Sequence, residues 1–264
     1  MSSSMTTPLD VKLMQMATMA LYLVLLTLVT GAGARWIARN PVFNIRAIQV
    51  IGDVEHHNAV TLRANVGSHV AGSLFNIELA KVQDAFQSMP WVRRAVVQRV
   101  FPNRLKVKLQ EHQVVAYWGA EGESRLLNTF GEVFDANVGE IEQESLPRLI
   151  GPENQSAEVL AMYQTIAPHF EHAALPIEEL QLSARGSWRA RLESGTVVEL
   201  GRSGTDEVRS ASLRFLNTVT QVTSRYGRPS SALESVDLRH QNGYAIRMHG
   251  VSTLLADGTT THRN

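Results

Sequence analysis

Cysteine is absent from this 264-residue chain. That excludes disulfide staples, thiolate metal sites and a cysteine nucleophile, and leaves the compartment open. Net charge is absent too, with 25 basic residues against 25 acidic ones. Phosphate binding needs a cationic face, so no nucleic-acid partner is expected. The short motifs of catalysis are also missing. No G-x-S-x-G nucleophile elbow occurs. Gly31-Ala32-Gly33 lies inside an apolar run rather than after a strand, so it is no phosphate loop.

The histidines and acids do not assemble into a site. His56-His57, with Asp53 and Glu55 nearby, reads as a solvated polar loop, because no periodic element fixes these ligands in one geometry. His169 and His172 share the end of a helix but lack further ligands, and Asp257 and His262 fall in a polar tail. Backbone amides around Gly204 and Thr205 could cradle an anion, yet Asp206 and Glu207 would repel it. No metal, cofactor or catalytic residue is therefore expected. The basic run Arg93, Arg94, Arg99, Arg104, Lys106, Lys108 reads as a solvated strand face, with a partner-binding or lipid-facing surface as the alternative.

What is present begins with a long apolar run. No ionisable charge lies between Lys12 and Arg35, and at about 1.5 Å per residue that run covers roughly the 30 Å of a bilayer core. Trp36 suits an interfacial anchor. Ala32-Gly33-Ala34 resembles a signal-peptide cleavage site, but the run exceeds the usual ~7–15 residues of a signal core. The expected organisation is a cytoplasmic start over 1–12 and a transmembrane helix over 13–37. Lys12 precedes the span while Arg35, Arg39 and Arg46 follow it, so the positive-inside rule alone would keep the larger part cytoplasmic.

Asn40-Pro41 ends the helix. Strand "FNIRAIQVIG", closing at Gly52, comes first, then a short helix in "NAVTLRANVG" between Asn58 and Gly67. A stronger helix follows in "FNIELAKVQDAFQSMPWV", capped by Asn76, stopped by Pro90, with Leu79, Val82, Phe86 and Met89 in one stripe. Strands "VRRAVVQRVF" and "RLKVKLQE" flank the turn Phe101-Pro102-Asn103, completing an α+β module over 43–111.

From His112 onward short strands dominate, interrupted by two amphipathic helices. One carries Val159, Tyr163, Ile166 and Phe170. The other is capped by Thr205, carries Val208, Ala211, Phe215, Val219 and Val222, and ends at Gly227 and Pro229. Both must pack on a sheet to bury their stripes. The fold class is α+β: one N-terminal transmembrane helix, a small module, then a mainly antiparallel domain over 112–250, with a polar tail over 251–264. In "ESVDLRHQNGYAIRMHG" Val236, Leu238, Tyr244, Ile246 and Met248 alternate around Asn242-Gly243, the signal of a hairpin. Its second arm is the expected last strand of the sheet.

The ordered set of segments resembles the FtsQ/DivIB family of bacterial cell-division proteins. It runs "FNIRAIQVIG", "MPWVRRAVVQRVFPNRLKVKLQEHQVVAYW", "LLNTFGEVFDA", "LPRLIGPE", "SWRARLESGTVVELGR" and "SVDLRHQNGYAIRM". The resemblance implies a POTRA domain followed by the family's β domain, in a single-span inner-membrane scaffold with a periplasmic body at the septum. It overrides the charge count around the span. Implied partners are FtsB and FtsL, with FtsK, FtsW and FtsI as further ones, and the implied role is control of septal peptidoglycan synthesis without catalysis. In the family a strand of FtsB adds to the last strand. By motif that contact covers Leu238, Arg239, His240, Asn242, Gly243, Tyr244, Ile246 and Met248, and Arg185 matches an arginine that pairs with an acid of FtsB. His240 and Met248 stand where the family often has tyrosine and tryptophan. The other reading is a POTRA-bearing export or outer-membrane assembly factor that handles unfolded β strands. Against it, one module is visible and no barrel pattern follows.

Overall fold

The computed structural model describes residues 9–52, 66–67, 70, 72–123, 125–141, 146–240 and 243–251. The expected helix over 58–67 lies almost wholly outside them, as do Asp53, Glu55, His56, His57, Asn242, Asp257 and His262. Helix α1, Leu9–Arg39, contains a stretch from Asp10 to Ile37 that is long and apolar enough to cross a membrane. Its apolar side chains, Leu21, Val24, Leu25 and Leu28 among them, are exposed. Asn40 ends it and caps a turn at Pro41–Phe43, its side chain accepting from the Val42 N–H at 3.0 Å.

The chain divides into two compact units, the first ending at Glu111 and the second starting at His112. In the first, β1 (Ala47–Gly52) runs parallel to β3 (Arg104–Glu111), which is antiparallel to β2 (Val92–Val100). Helix α2, Leu79–Gln87, packs on this sheet. Val82 and Phe86 share one apolar core with Ala95, Leu105, Val107 and Leu109, as the period-2 and period-3.6 patterns require. Asn76 does not cap α2. Glu78 holds the cap position without a side-chain cap bond and pairs with Lys81 at 3.0 Å.

Among the described residues the second unit is built on a nine-stranded sheet. Its strands are β4 (Val114–Trp118), β5 (Arg125–Asn128), β6 (Val133–Asp135), β7 (Arg148–Ile150), β8 (Ile177–Leu182), β9 (Trp188–Leu192), β10 (Val197–Gly201), β11 (Leu233–Asp237) and β12 (Ala245–Met248). Helix α3, Ser156–His172, joins β7 to β8, and α4, Thr205–Arg225, joins β10 to β11. Both of those strand pairs are parallel, because a parallel pair needs a crossover long enough for a helix. β4 is also parallel to β7, and the remaining pairs are antiparallel. The α+β expectation holds, on a mixed sheet.

The order across the sheet is β12-β11-β10-β9-β8-β7-β4-β5-β6. One face is apolar. Trp118, Leu149, Leu180, Ala190 and Val198 bury against Val159, Ile166 and Phe170 of α3 and Val208, Phe215 and Val219 of α4. The other face carries ion pairs such as Arg189–Glu199 at 2.8 Å and Arg191–Glu179, which are solvent-screened and contribute little. Thr205 is the first helical residue of α4 rather than its cap. Gly204 takes that place, its extended backbone leaving the turn without a side-chain cap. At the other end Gly227, at φ +65°, lets Arg228 N–H reach Thr223 O at 3.1 Å and closes the helix.

Candidate functional site: the β12 edge of the sheet

β12 is the outermost strand of the nine among the described residues. Its orientation follows from the ladder beside it. Leu238 N–H donates to Glu199 O at 2.8 Å, so the even-numbered residues of β11 bond to β10, and Ser235 and Asp237 turn their backbone groups toward β12. Those two pair with Arg247 and Ala245. Ile246, between them, opposes Val236 at a position where the N–H and C=O point away from β11. That edge is a ready template for another strand.

The strand is pinned from one face by α4. Phe215, fully buried, meets the Tyr244 ring edge-on, with centroids 5.3 Å apart at 87°. The Tyr244 hydroxyl lies 2.7 Å from Thr218 Oγ1. Ala211, Arg214, Asn217 and Thr218 of α4 and Leu238, Gly243 and Tyr244 beside the strand line an open cleft of about 380 Å³. Phe215 belongs to the apolar stripe legible in the sequence. Thr218 carried no such signal, because its role depends on a partner 26 positions away.

The residues expected at the contact do not all face outward. Leu238 and Met248 are buried, at 4% and 6% exposure, in the core under α3 and α4. Their side chains belong to the core of the second unit. Tyr244 and Ile246 are half-buried on that same face, while Arg239, His240 and Gly243 are exposed. Arg185 is exposed in the turn between β8 and β9. It lies at the same sheet end as Arg239 and His240, since Trp188 is paired with Gly201 and Glu199 with Asp237. β10 and β11 intervene between β9 and β12, a separation of roughly 14 Å at ~4.8 Å per strand. Asp237 pairs with Ala245, and the turn expected at Asn242-Gly243 falls on Asn242, outside the described residues.

Just beyond β11 Arg239 grips Asp237. Its backbone N–H donates to Oδ1 at 3.0 Å and its Nε to the same oxygen at 2.8 Å. The Arg239 side-chain hydrogen bond holds the Asp237 carboxyl down at about 2, against the opposing effect of desolvation. A depressed carboxyl pKa contributes stability above the unfolded value, near 3.8, and loses it as pH falls toward the folded value. Unfolding measured between about pH 4 and 2 is therefore expected to show a loss of stability that Asp237→Asn flattens. An unchanged pH dependence in that variant would remove Asp237 from the account.

Among the described residues no group of three histidines or acids could hold a metal. Comparison with known proteins agrees with the architecture. The family model described as cell division protein FtsQ/DivIB, C-terminal, matches residues 116–239, and the FtsQ-type POTRA domain matches 43–112. A protein named cell division protein FtsQ from Burkholderia pseudomallei is 39% identical, over 93% of this chain and 96% of its own. Its namesakes from Thiomonas arsenitoxydans, 38% identical over 92% and 89%, and Bordetella pertussis, 33% identical over 82% and 84%, extend the likeness. With both modules and nearly the whole length of these relatives matched, the chain belongs to the FtsQ/DivIB family of cell-division proteins.

Proposed function

We propose that this protein is a divisome scaffold that takes up a strand of FtsB along the outer edge of β12. α1 anchors it in the inner membrane, with the units over 43–111 and 112–250 periplasmic at the septum. FtsL arrives with FtsB, and through this pair the protein links early and late division proteins and acts on septal peptidoglycan synthesis by FtsW and FtsI. FtsK is a further partner. Chemistry stays with the partners, and the scaffold supplies position.

The observation that supports this reading is the outward direction of Ile246 N–H and C=O at the sheet edge. Backbone pairing supplies affinity in strand addition, and flanking side chains supply choice of partner. Exposed Arg185 and His240 stand at the same sheet end, where an acidic residue flanking the incoming strand meets Arg185. Purified full-length chain in detergent is expected to capture the FtsB–FtsL pair, and Arg185→Glu to weaken that capture by roughly 1–3 kcal/mol. Failure of the unaltered chain to capture the pair would count against the reading.

A further inference from the structure

The first compact unit segregates its charge, although the chain as a whole is neutral. Leu105, Val107 and Leu109 of β3 are buried, which puts Arg104, Lys106 and Lys108 together on the opposite face. Their neighbours in register there are Ala47, Gln49 and Ile51 of β1 and Val96, Gln98 and Val100 of β2. No carboxylate stands among them, and none of the three cations makes an ion pair among the described residues.

At the Arg104 end of that face the unit exposes aromatic rings. Phe101, in the β2–β3 turn, is 61% exposed and Phe75 is 41% exposed. Phe75 lies 5.8 Å from Phe101 and 4.9 Å from Phe43, centroid to centroid. The cluster is held in place from beneath. Arg99 donates from Nε to Leu74 O and from Nη2 to Ile77 O, both at 2.8 Å, bracing the loop that carries Phe75. Leu74 N–H reaches Phe43 O at 2.8 Å, and Arg46 N–H reaches Asn103 O at 3.0 Å. A rigid exposed aromatic group is a standing cost in water.

Its place in the chain says what covers it. Phe43 comes soon after Arg39, the last residue of α1, and even a fully extended backbone spans no more than roughly 14 Å between them. The tip is thus tethered within reach of the surface of any bilayer that α1 crosses. Aromatic rings favour the membrane–water boundary, and each nearby cation adds attraction to anionic headgroups.

We propose that this tip seats the first unit on the membrane. Phe75 and Phe101 enter the headgroup–acyl boundary, with Phe43 beneath them, and Arg46 and Arg104 engage anionic headgroups alongside. The seat fixes the height of the unit above the bilayer and limits its swing about Asn40.

The absence of native cysteine allows a single reporter. Full-length chain carrying Phe101→Cys, labelled with a polarity-sensitive dye, goes into nanodiscs of phosphatidylglycerol and phosphatidylethanolamine that include a nitroxide lipid. Gln87→Cys is the control, on the exposed end of α2 beyond the start of β2. Blue-shifted, quenched emission is expected at 101 and water-like emission at 87. Reversing charge at Arg46→Glu and Arg104→Glu should lower the docked-to-undocked ratio by at least roughly fivefold per site. Water-like emission at both positions overturns the proposal, as does shielding at 101 that arises only when a protein partner is added. Equal quenching in phosphatidylcholine discs overturns the assignment of Arg46 and Arg104 to anionic headgroups.

Discussion

Replacing Ile246 by proline is expected to abolish capture of FtsB while leaving the chain folded. Proline lacks an amide donor and survives only at edges or bulges of sheets. At position 246 the missing donor is the one directed away from β11, so the inward bonds of Ala245 and Arg247 survive. The residue before proline must be extended, and Ala245 already is. An incoming strand, however, loses its central hydrogen bond, which leaves its own carbonyl unsatisfied at about 1–3 kcal/mol, and it also meets the proline ring. Together these should weaken Kd by roughly 100-fold. Arg247→Pro is the internal contrast. It removes an inward donor, opposite Ser235, and should detach the strand itself. Calorimetric titration with the FtsB–FtsL pair, beside circular dichroism of both variants, separates the two effects. Undiminished binding by folded Ile246→Pro would contradict edge pairing.

The second large effect is expected at Phe215→Ala. The ring is fully buried in the layer between α4 and the sheet. It touches Phe170 of α3 at 6.5 Å and Tyr244 at 5.3 Å, centroid to centroid. Deleting it leaves a cavity in a close-packed core, at a cost of about 3–5 kcal/mol. The loss should be local to the second unit. Hydrogen exchange would show β9, β10 and β11 opening more often while β2 and β3 of the first unit keep their protection. The Tyr244–Thr218 contact should loosen with it, so the edge becomes mobile before the sheet unfolds. A change under about 1 kcal/mol would mean that α4 collapses into the gap.

Much of this was legible in the residues. The uncharged run from Leu13 to Ala34 yields a helix with exposed apolar sides. The centres of the stripes, Val82 and Phe86 of α2, Val159, Ile166 and Phe170 of α3 and Val208, Phe215 and Val219 of α4, are buried as expected. In α4 Ser212 and Thr223 are buried where Ala211 and Val222 were expected. Alternation in "RLKVKLQE" separates the Leu105 face from the Lys106 face without ambiguity. Other elements left little trace. β7 is only Arg148–Ile150, too short for a period to show. β8 carries a register shift between Ile177 and Glu179 that breaks its alternation.

At the edge the difficulty is of another kind. Alternation shows that Tyr244, Ile246 and Met248 share a face, but not which face the helices cover. α4 covers theirs, which buries Met248. The Asn242-Gly243 signal cannot be weighed in the same way, because Asn242 lies outside the described residues. Helix caps miss by one or two positions, because Glu78 and Gly204 reach cap geometry without any side-chain bond to advertise it.

The most direct test is hydrogen exchange at a single amide, Ile246 N–H, in the full-length chain with and without the FtsB–FtsL pair. In the free chain this amide points away from β11 and has no strand partner among the described residues, so it should exchange far faster than those of Ala245 and Arg247, which bond to β11. On saturation with the pair it should slow to match them. Bound FtsB–FtsL with Ile246 still exchanging at its free rate would contradict the account.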